Sequence, residues 1–450
     1  MKTKILLFCF LLWTFAADAQ EPSIMPPLSP KDRLLILAPH PDDEALGTAG
    51  IIQEALHLKI PVKVVYLSHG DNNEVSFILH EKHLVILKKA FIAMGELRHK
   101  EAVAAMKFLG LPENQLIFLG YPDFGTMEIF TKYWNTQKPF RSMLTRVTAV
   151  PYKECLSFNA PYTGESILND LKRVILDFRP TKIFVTLPVD VNRDHRTYYL
   201  FLQVALWDLE GQIKKPMVLP YLVHAVGWPR PKGFHPELRL SPPKSLESSQ
   251  IGWQTLELTN EEANIKKETI ALYKSQVKCD SSYLFSFARK NELFGDYPVI
   301  KLLKQKGLEG VPWEDVKIAK EEDEALEQNM QISKLAYAQQ DGNLLIRMGL
   351  KHRIDKQFGI FVYLFGYSKK KDFALMPKIN LYIDWSGVHA KEKKRSISSR
   401  GIQIAYEGKS MILKVPFSLL GTPGYLLASA KSKAKDLPFD NTAWRVLKIE

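Results

Sequence analysis

The 450 residues, 46% of them hydrophobic, are enough to bury at least one large core and have room for two. The formal net charge is +12, yet Lys and Arg are scattered. Their small clusters, Lys369 to Lys371 and Lys391 to Arg395, accompany no zinc-finger, RRM-like or basic-helix pattern, so nucleic-acid binding is not expected. Three cysteines, one of them in the leader, exclude a Cys-rich zinc site, so any metal must sit on His and carboxylate.

Residues 1–19 read as a secretory signal peptide: Lys2 and Lys4, an apolar run from Ile5 to Phe15, then Ala17-Asp18-Ala19 before Gln20. The run is short for a bilayer crossing, which takes about 20 residues. Cys9 has no small residue before it and is not read as a lipid attachment site. A secreted or periplasmic location follows as an expectation, with no transmembrane span after signal cleavage. Without the leader the charge is about +11, a balance that favours acidic partners. Cys155 and Cys279 remain, and spacing alone does not decide whether they pair.

After a Pro-rich lead-in, apolar strands alternate with helical patterns. Leu34 to Ala38, Val62 to Leu67, Gln115 to Leu119, Lys182 to Leu187 and Tyr221 to Gly227 read as strands. Glu44 to Leu58, Leu84 to Leu109, Glu165 to Phe178, Asp194 to Leu209 and Glu261 to Gln276 read as helices. Pro229 to Leu246 is Pro-rich and loop-like, and Glu314 to Asn329 a charged helix or linker. The alternation predicts a Rossmann-like, mostly parallel sheet with helices on both faces over residues 20–330. From 331 to 450 the texture changes to short candidate strands: 344–350, 359–366, 379–384, 401–406, 410–415 and 424–430. This predicts a C-terminal all-β, sandwich-like domain. Trp385 and Trp444 there could stack on sugar, although aromatic residues in a sandwich usually belong to its core.

In open parallel sheets, reactive groups collect past the carboxyl ends of strands. Two polar clusters occupy such places. Pro39-His40-Pro41-Asp42-Asp43-Glu44 follows the first buried strand, and Asp190-Val191-Asn192-Arg193-Asp194-His195-Arg196 follows the fourth. Imidazole and carboxylate from both could converge on one cation, with a further carboxylate free to take a proton from water. An isolated Asp-Asp pair is more often a helix cap. His40 in front of the pair and the matching cluster at His195 argue for the sharper reading.

These residues resemble the PIG-L/LmbE-like zinc deacetylases, whose signature is a strand followed by HPDDE and a later HxDH-type segment. The resemblance runs over about Leu34 to Phe294. It implies one Zn²⁺ per chain on His40, Asp43 and His195, with Asp42 as general base and Asp194 orienting its neighbours. It further implies Arg98, next to Glu101, and Asp123 as contacts for substrate hydroxyls; Arg196 is a further candidate there. The segments Lys274-Ser275-Gln276 and Phe287 to Phe294 are similar to those of secreted, multidomain members. The chain departs from the pattern at Asn192, where the family often has a histidine that stabilises the oxyanion. An Asn amide can donate a hydrogen bond but cannot be a cation, so either Asn192 or another group, such as His224, serves. The implied substrate is an N-acetylated sugar or glycoconjugate. Two alternatives stay open: a glycan-binding protein that has lost turnover, and a metal hydrolase of another bond. No oligomeric state is legible.

Overall fold

The computed structural model describes residues 21–72, 88–134, 138–247, 249–304, 311, 314–315, 332–351, 354–434 and 437–450. The signal-peptide reading, residues 84–87 and most of the charged stretch after Glu314 lie outside the described residues. Among the described residues no helix is long and apolar enough to cross a membrane.

The N-terminal unit runs β1 (Ser23–Ile24), β2 (Leu34–Ala38), α1 (Asp43–His57), β3 (Val62–Ser68), α2 (Lys88–Leu109), β4 (Leu116–Tyr121), α3 (Thr126–Lys132), α4 (Gly164–Phe178), β5 (Lys182–Thr186), α5 (Arg193–Asp208), β6 (Met217–Tyr221), β7 (Gly252–Glu257), α6 (Asn260–Ala271), α7 (Lys274–Phe285) and β8 (Asn291–Asp296). The sheet order is β1-β7-β8-β6-β5-β2-β3-β4. β6, β5, β2, β3 and β4 are mutually parallel, while β8 is antiparallel to β6 and β7. All five residues of β2 are fully buried, as a Leu-Leu-Ile-Leu-Ala run between two covered faces should be.

The chain steps outward from β2 to β3 and β4, then returns to β2's other side with β5. Crossovers that are right-handed and run in opposite directions across a sheet place their helices on opposite faces. Accordingly α1 packs with α2 and α6, while α5 packs with α3 and α4. The reversal falls between β2 and β5, whose ladder pairs Leu34 with Lys182 and Ile36 with Phe184. Their carboxyl ends therefore open side by side, at the place where such sheets bind ligands.

The expected strand at Tyr221 to Gly227 is displaced: β6 occupies Met217–Tyr221. The N–H groups of Val223 and His224 donate instead to the Asp190 carboxylate, which takes the chain out of the ladder. The helix expected over Glu261 to Gln276 is two helices, α6 and α7, meeting at Leu272 and Tyr273. Thr259 and Glu262 form a reciprocal capping box at the start of α6.

The C-terminal unit is built of two antiparallel sheets. The smaller joins β10 (Glu314–Asp315), β11 (Ile332–Gln340), β12 (Asn343–Leu350), β17 (Gln403–Glu407) and β18 (Ser410–Pro416). The larger joins β13 (Phe358–Tyr367), β14 (Lys378–Asp384), β15 (Gly387–Glu392), β16 (Arg395–Ile397), β19 (Tyr425–Ala434), β20 (Leu437–Asn441) and β21 (Arg445–Ile449). β9 (Ile300–Leu302) adds a strand parallel to β21, so the second architecture begins on the N-terminal side of 331. Ile346 and Leu413 from one sheet share a core with Val362, Ile383 and Leu426 from the other, which makes a sandwich.

The outer face of the larger sheet is not free. Phe365, Leu427 and Val446 belong to the same continuous core as the α/β unit. Phe373 packs edge-on to Trp134 at 4.9 Å, and Tyr425 stacks on Trp207 at 4.8 Å. Trp444 is buried here beside Phe365, its backbone N–H donating to Pro188 O, so it serves packing; Trp385 is exposed.

Candidate metal centre and active site

Both motif loops begin where a buried strand ends and finish as the first turn of a helix. His40 leaves β2 two residues past Ala38, and Asp43 is the first residue of α1. Asp43 Oδ2 accepts the backbone N–H of His40 at 2.9 Å and lies 3.2 Å from His40 Nδ1. The loop after β5 brings His195 Nε2 to 3.1 Å from the same carboxylate oxygen and to 3.3 Å from His40 Nδ1. Three ligand atoms from chain positions far apart thus form a triangle with edges of 3.1 to 3.3 Å. In a tetrahedral site with bonds of about 2.0–2.2 Å, neighbouring ligands stand about 3.3–3.6 Å apart. The donors present, two imidazoles and one carboxylate, fit a divalent ion of the zinc class and leave its fourth position open.

The far nitrogen of each ring is held by carboxylates. His40 Nε2 lies 3.0 Å from Asp123 Oδ1 and 3.4 Å from Asp194 Oδ2. His195 Nδ1 lies 3.2 Å from Asp190 Oδ2. An imidazole that donates its outer N–H to a carboxylate keeps the other nitrogen's lone pair turned to the ion. Burial disfavours charge on His195, but Asp190 and Asp43 outweigh it and raise its pKa to about 9. Burial opposes a charged His40 too, and facing Asp123, Asp194 and Asp43 hold its pKa well above the ordinary range. Protons so held are the ones a bound cation displaces.

Asp194 is itself locked, accepting the N–H groups of Phe124 at 2.5 Å and Thr126 at 3.2 Å as well as the Thr126 hydroxyl. Asp123 Oδ2 accepts the N–H of Asn72 at 3.2 Å. Asp123 therefore stands behind the His40 ring while also lining the cavity.

Asp42 points elsewhere. It is a non-glycine residue at φ 124°, a backbone state that costs energy and persists only when its surroundings enforce it. Glu44 Oε2 accepts the Asp42 N–H at 3.2 Å, and the fully buried Glu44 carboxyl also accepts the Tyr273 hydroxyl. Arg98 donates to Pro41 O at 2.8 Å and Gly70 O at 3.0 Å, and its guanidinium lies 3.5 Å from Asp42 Oδ2. Gly70, at φ +65°, makes this possible, since a Cβ there would run into the Arg98 guanidinium. Burial and neighbouring Asp43 push the Asp42 carboxyl up to about 7, with Arg98 pulling the other way.

His40, Asp42, Asp43, Arg98, Asp123 and Asn192 share one cavity of about 470 Å³. A further wall comes from α7 and the segment after β6, with Gln276, Asp280, Tyr283 and His224. Glu101 anchors this wall by accepting the N–H and hydroxyl of Ser275 at 2.8 and 2.6 Å. Asn192 is the N-cap of α5, its Oδ1 accepting the Asp194 N–H at 2.8 Å, which leaves its Nδ2 as the donor still to be used. The His224 ring lies 4.7 Å from that of His195, with Nδ1 3.3 Å from the Tyr283 hydroxyl. Burial and the nearby His195 charge lower its pKa to about 4, so it is a neutral imidazole.

Arg196, expected at the substrate, lines a different cavity between the two units. It sits one residue past His195 on a helix, so the two side chains leave α5 about 100° apart. Asp190 was legible only as part of its cluster, although it accepts four groups: His195 Nδ1 and the N–H groups of Asn192, Val223 and His224. Its position four residues past the end of a buried strand, in the loop that leads to His195, was the available signal. Cys155 and Cys279 form no disulfide with each other; Cys155 is buried with Sγ 3.3 Å from His69 Nε2, and Cys279 lines the cavity.

Three solved structures illustrate what the chain is similar to. N,N'-diacetylchitobiose deacetylase from Pyrococcus horikoshii is 15% identical, with 54% of this chain and 70% of that one covered and a TM-score of 0.33. A deacetylase of the teicoplanin biosynthesis pathway is 15% identical over 58% of this chain and 96% of its own, with a TM-score of 0.38. A 4-carboxy-2-hydroxymuconate hydratase from Pseudomonas putida is also similar, at 16% identity, 57% and 82% coverage and a TM-score of 0.33. Among curated proteins nothing matches. The model of the GlcNAc-PI de-N-acetylase family, PIG-L, matches residues 35–206, the stretch that carries β2, β5 and the three candidate ligand atoms, so this part of the α/β unit is similar to that family.

Proposed function

We propose that the chain is a zinc-dependent amide hydrolase that removes the acetyl group from an N-acetylated sugar or glycoconjugate. The observation that carries this reading is the triangle of His40 Nδ1, Asp43 Oδ2 and His195 Nε2 beside a spare carboxylate, Asp42, in one cavity. The PIG-L match supports the same chemistry.

When bound, a zinc ion supplies Lewis acidity to the attacking water and to the amide carbonyl oxygen. Asp42, poised near neutrality, accepts a proton from that water as its oxygen bonds to the carbonyl carbon. The same carboxyl then carries the proton to the amide nitrogen as the C–N bond breaks, giving acetate and a free amine. Arg98 keeps Asp42 aimed, and Glu44 holds the strained backbone beneath it. The neutral donors beside the carbonyl are Asn192 Nδ2 and the His224 ring, which stabilise developing negative charge without adding a cation. A cavity of about 470 Å³ is within the range that encloses a small-molecule ligand.

The test is incubation of the zinc-loaded protein with N-acetylglucosamine and its oligomers, assaying acetate and free amine. Stoichiometric release of both supports the reading. A fully zinc-loaded protein that releases neither from any of them would remove it.

A further inference from the structure

The first turn of α5 separates two cavities. Asn192 faces the candidate active site, whereas Arg193 and Arg196 line a second cavity of about 240 Å³ closed on its other side by the sandwich. Lys132 from α3 and Lys431 from β19 complete a set of four cations around it. Its one carboxylate, Glu128, is engaged by Lys132 at 2.8 Å. Among the described residues, Arg193, Arg196 and Lys431 have no carboxylate within ion-pair distance, and Arg196 Nε is buried without any hydrogen-bond partner. Asn380, on the sandwich wall, likewise buries an amide oxygen without a partner.

Exposed Arg193 and the partly buried Arg196, Lys132 and Lys431 repel one another without a matching set of counter-charges, and the buried Arg196 Nε–H without an acceptor is costly. The missing component is an anion with several acceptor oxygens, which two guanidinium groups are shaped to grip. We propose that this interdomain cavity is a binding site for a phosphate-class oxoanion. The monoprotonated form of phosphate also offers one O–H, which suits the Asn380 oxygen. Two units contribute the cations, so the bound anion fastens the sandwich to the helix that carries His195. The site is independent of the proposed hydrolysis, because none of its residues lines the metal cavity.

The experiment is calorimetric titration of the full chain with inorganic phosphate at fixed ionic strength, alongside glucosamine 6-phosphate and sulfate. The variants are Arg196→Gln, Lys431→Gln and His40→Ala. The expected result is one phosphate per chain, weakened about tenfold or more by Arg196→Gln and by Lys431→Gln, and unchanged by His40→Ala. Glucosamine 6-phosphate binding more tightly than phosphate assigns the site to a phosphorylated ligand; the reverse order assigns it to the free ion. Lys431→Gln, on the sandwich side, keeps the test valid if the Arg196 variant folds poorly. Absence of saturable phosphate binding, or binding abolished by His40→Ala and untouched by the other two variants, would overturn the proposal.

Discussion

Asp190 Oδ2 lies 3.2 Å from His195 Nδ1, and the same oxygen accepts the N–H of His224 at 2.9 Å. One carboxylate thus holds the ring of the candidate ligand His195 and bends the chain after β6 so that His224 joins the cavity wall. Replacing Asp190 by Asn keeps the shape but removes the charge and one acceptor. Metal affinity should fall about 10–100-fold, read by competition with a chelator. Unchanged affinity would show that His195 is oriented by something else.

Asp42 combines strain with chemistry. At φ 124° a glycine fits without cost, whereas alanine keeps the strain. Asp42→Gly should therefore be more stable than Asp42→Ala by about 1 kcal/mol in denaturant unfolding. Both variants should retain metal and lose turnover by about 100-fold or more. Equal stability of the two would show that the loop relaxes once the carboxylate is gone.

Gly70 tests whether Arg98 acts by position. A methyl group there meets the guanidinium that spans Gly70 O, Pro41 O and Asp42. Gly70→Ala should lower kcat about 100-fold while metal content stays at the parent level. A normal kcat would mean that Asp42 needs no help from Arg98.

A pH effect on stability follows from Asp71, which is buried and accepts the Tyr152 hydroxyl at 2.7 Å. Burial and then Asp123 push its carboxyl up from 3.8 to about 7. The folded state holds this proton more tightly than the unfolded chain, so the contribution is full below about 3.8, lost as pH rises to about 7 and constant beyond. In Asp71→Asn that loss disappears, so urea unfolding across this interval should show a shallower decline than in the parent. Parallel profiles would exclude Asp71 as the source.

Much of this was legible because the decisive signals are local. A fully apolar Leu34 to Ala38 followed by His40, Asp42 and Asp43 marks a buried strand opening into a polar loop, and the Asp190 to Arg196 cluster repeats the arrangement. What stayed hidden depends on partners remote in sequence. β6 lies four residues before its expected start because Asp190, more than 30 positions away, claims two backbone N–H groups. The antiparallel strands β7 and β8 are short and carry polar residues such as Asn291 and Glu292, whose burial is satisfied only by tertiary contacts to Leu240, Gly50 and Lys266. Arg196 could be placed at the substrate by adjacency to His195, but the helix turns its side chain toward the sandwich, which no local pattern reveals.

The most direct measurement is the metal content of the purified chain beside its His40→Ala, His195→Ala and Asp42→Asn variants. One equivalent of zinc in the parent and in Asp42→Asn, with less than about a tenth of an equivalent in either histidine variant, is the expected result. A full equivalent retained by His195→Ala would contradict a centre shared between the loops after β2 and β5.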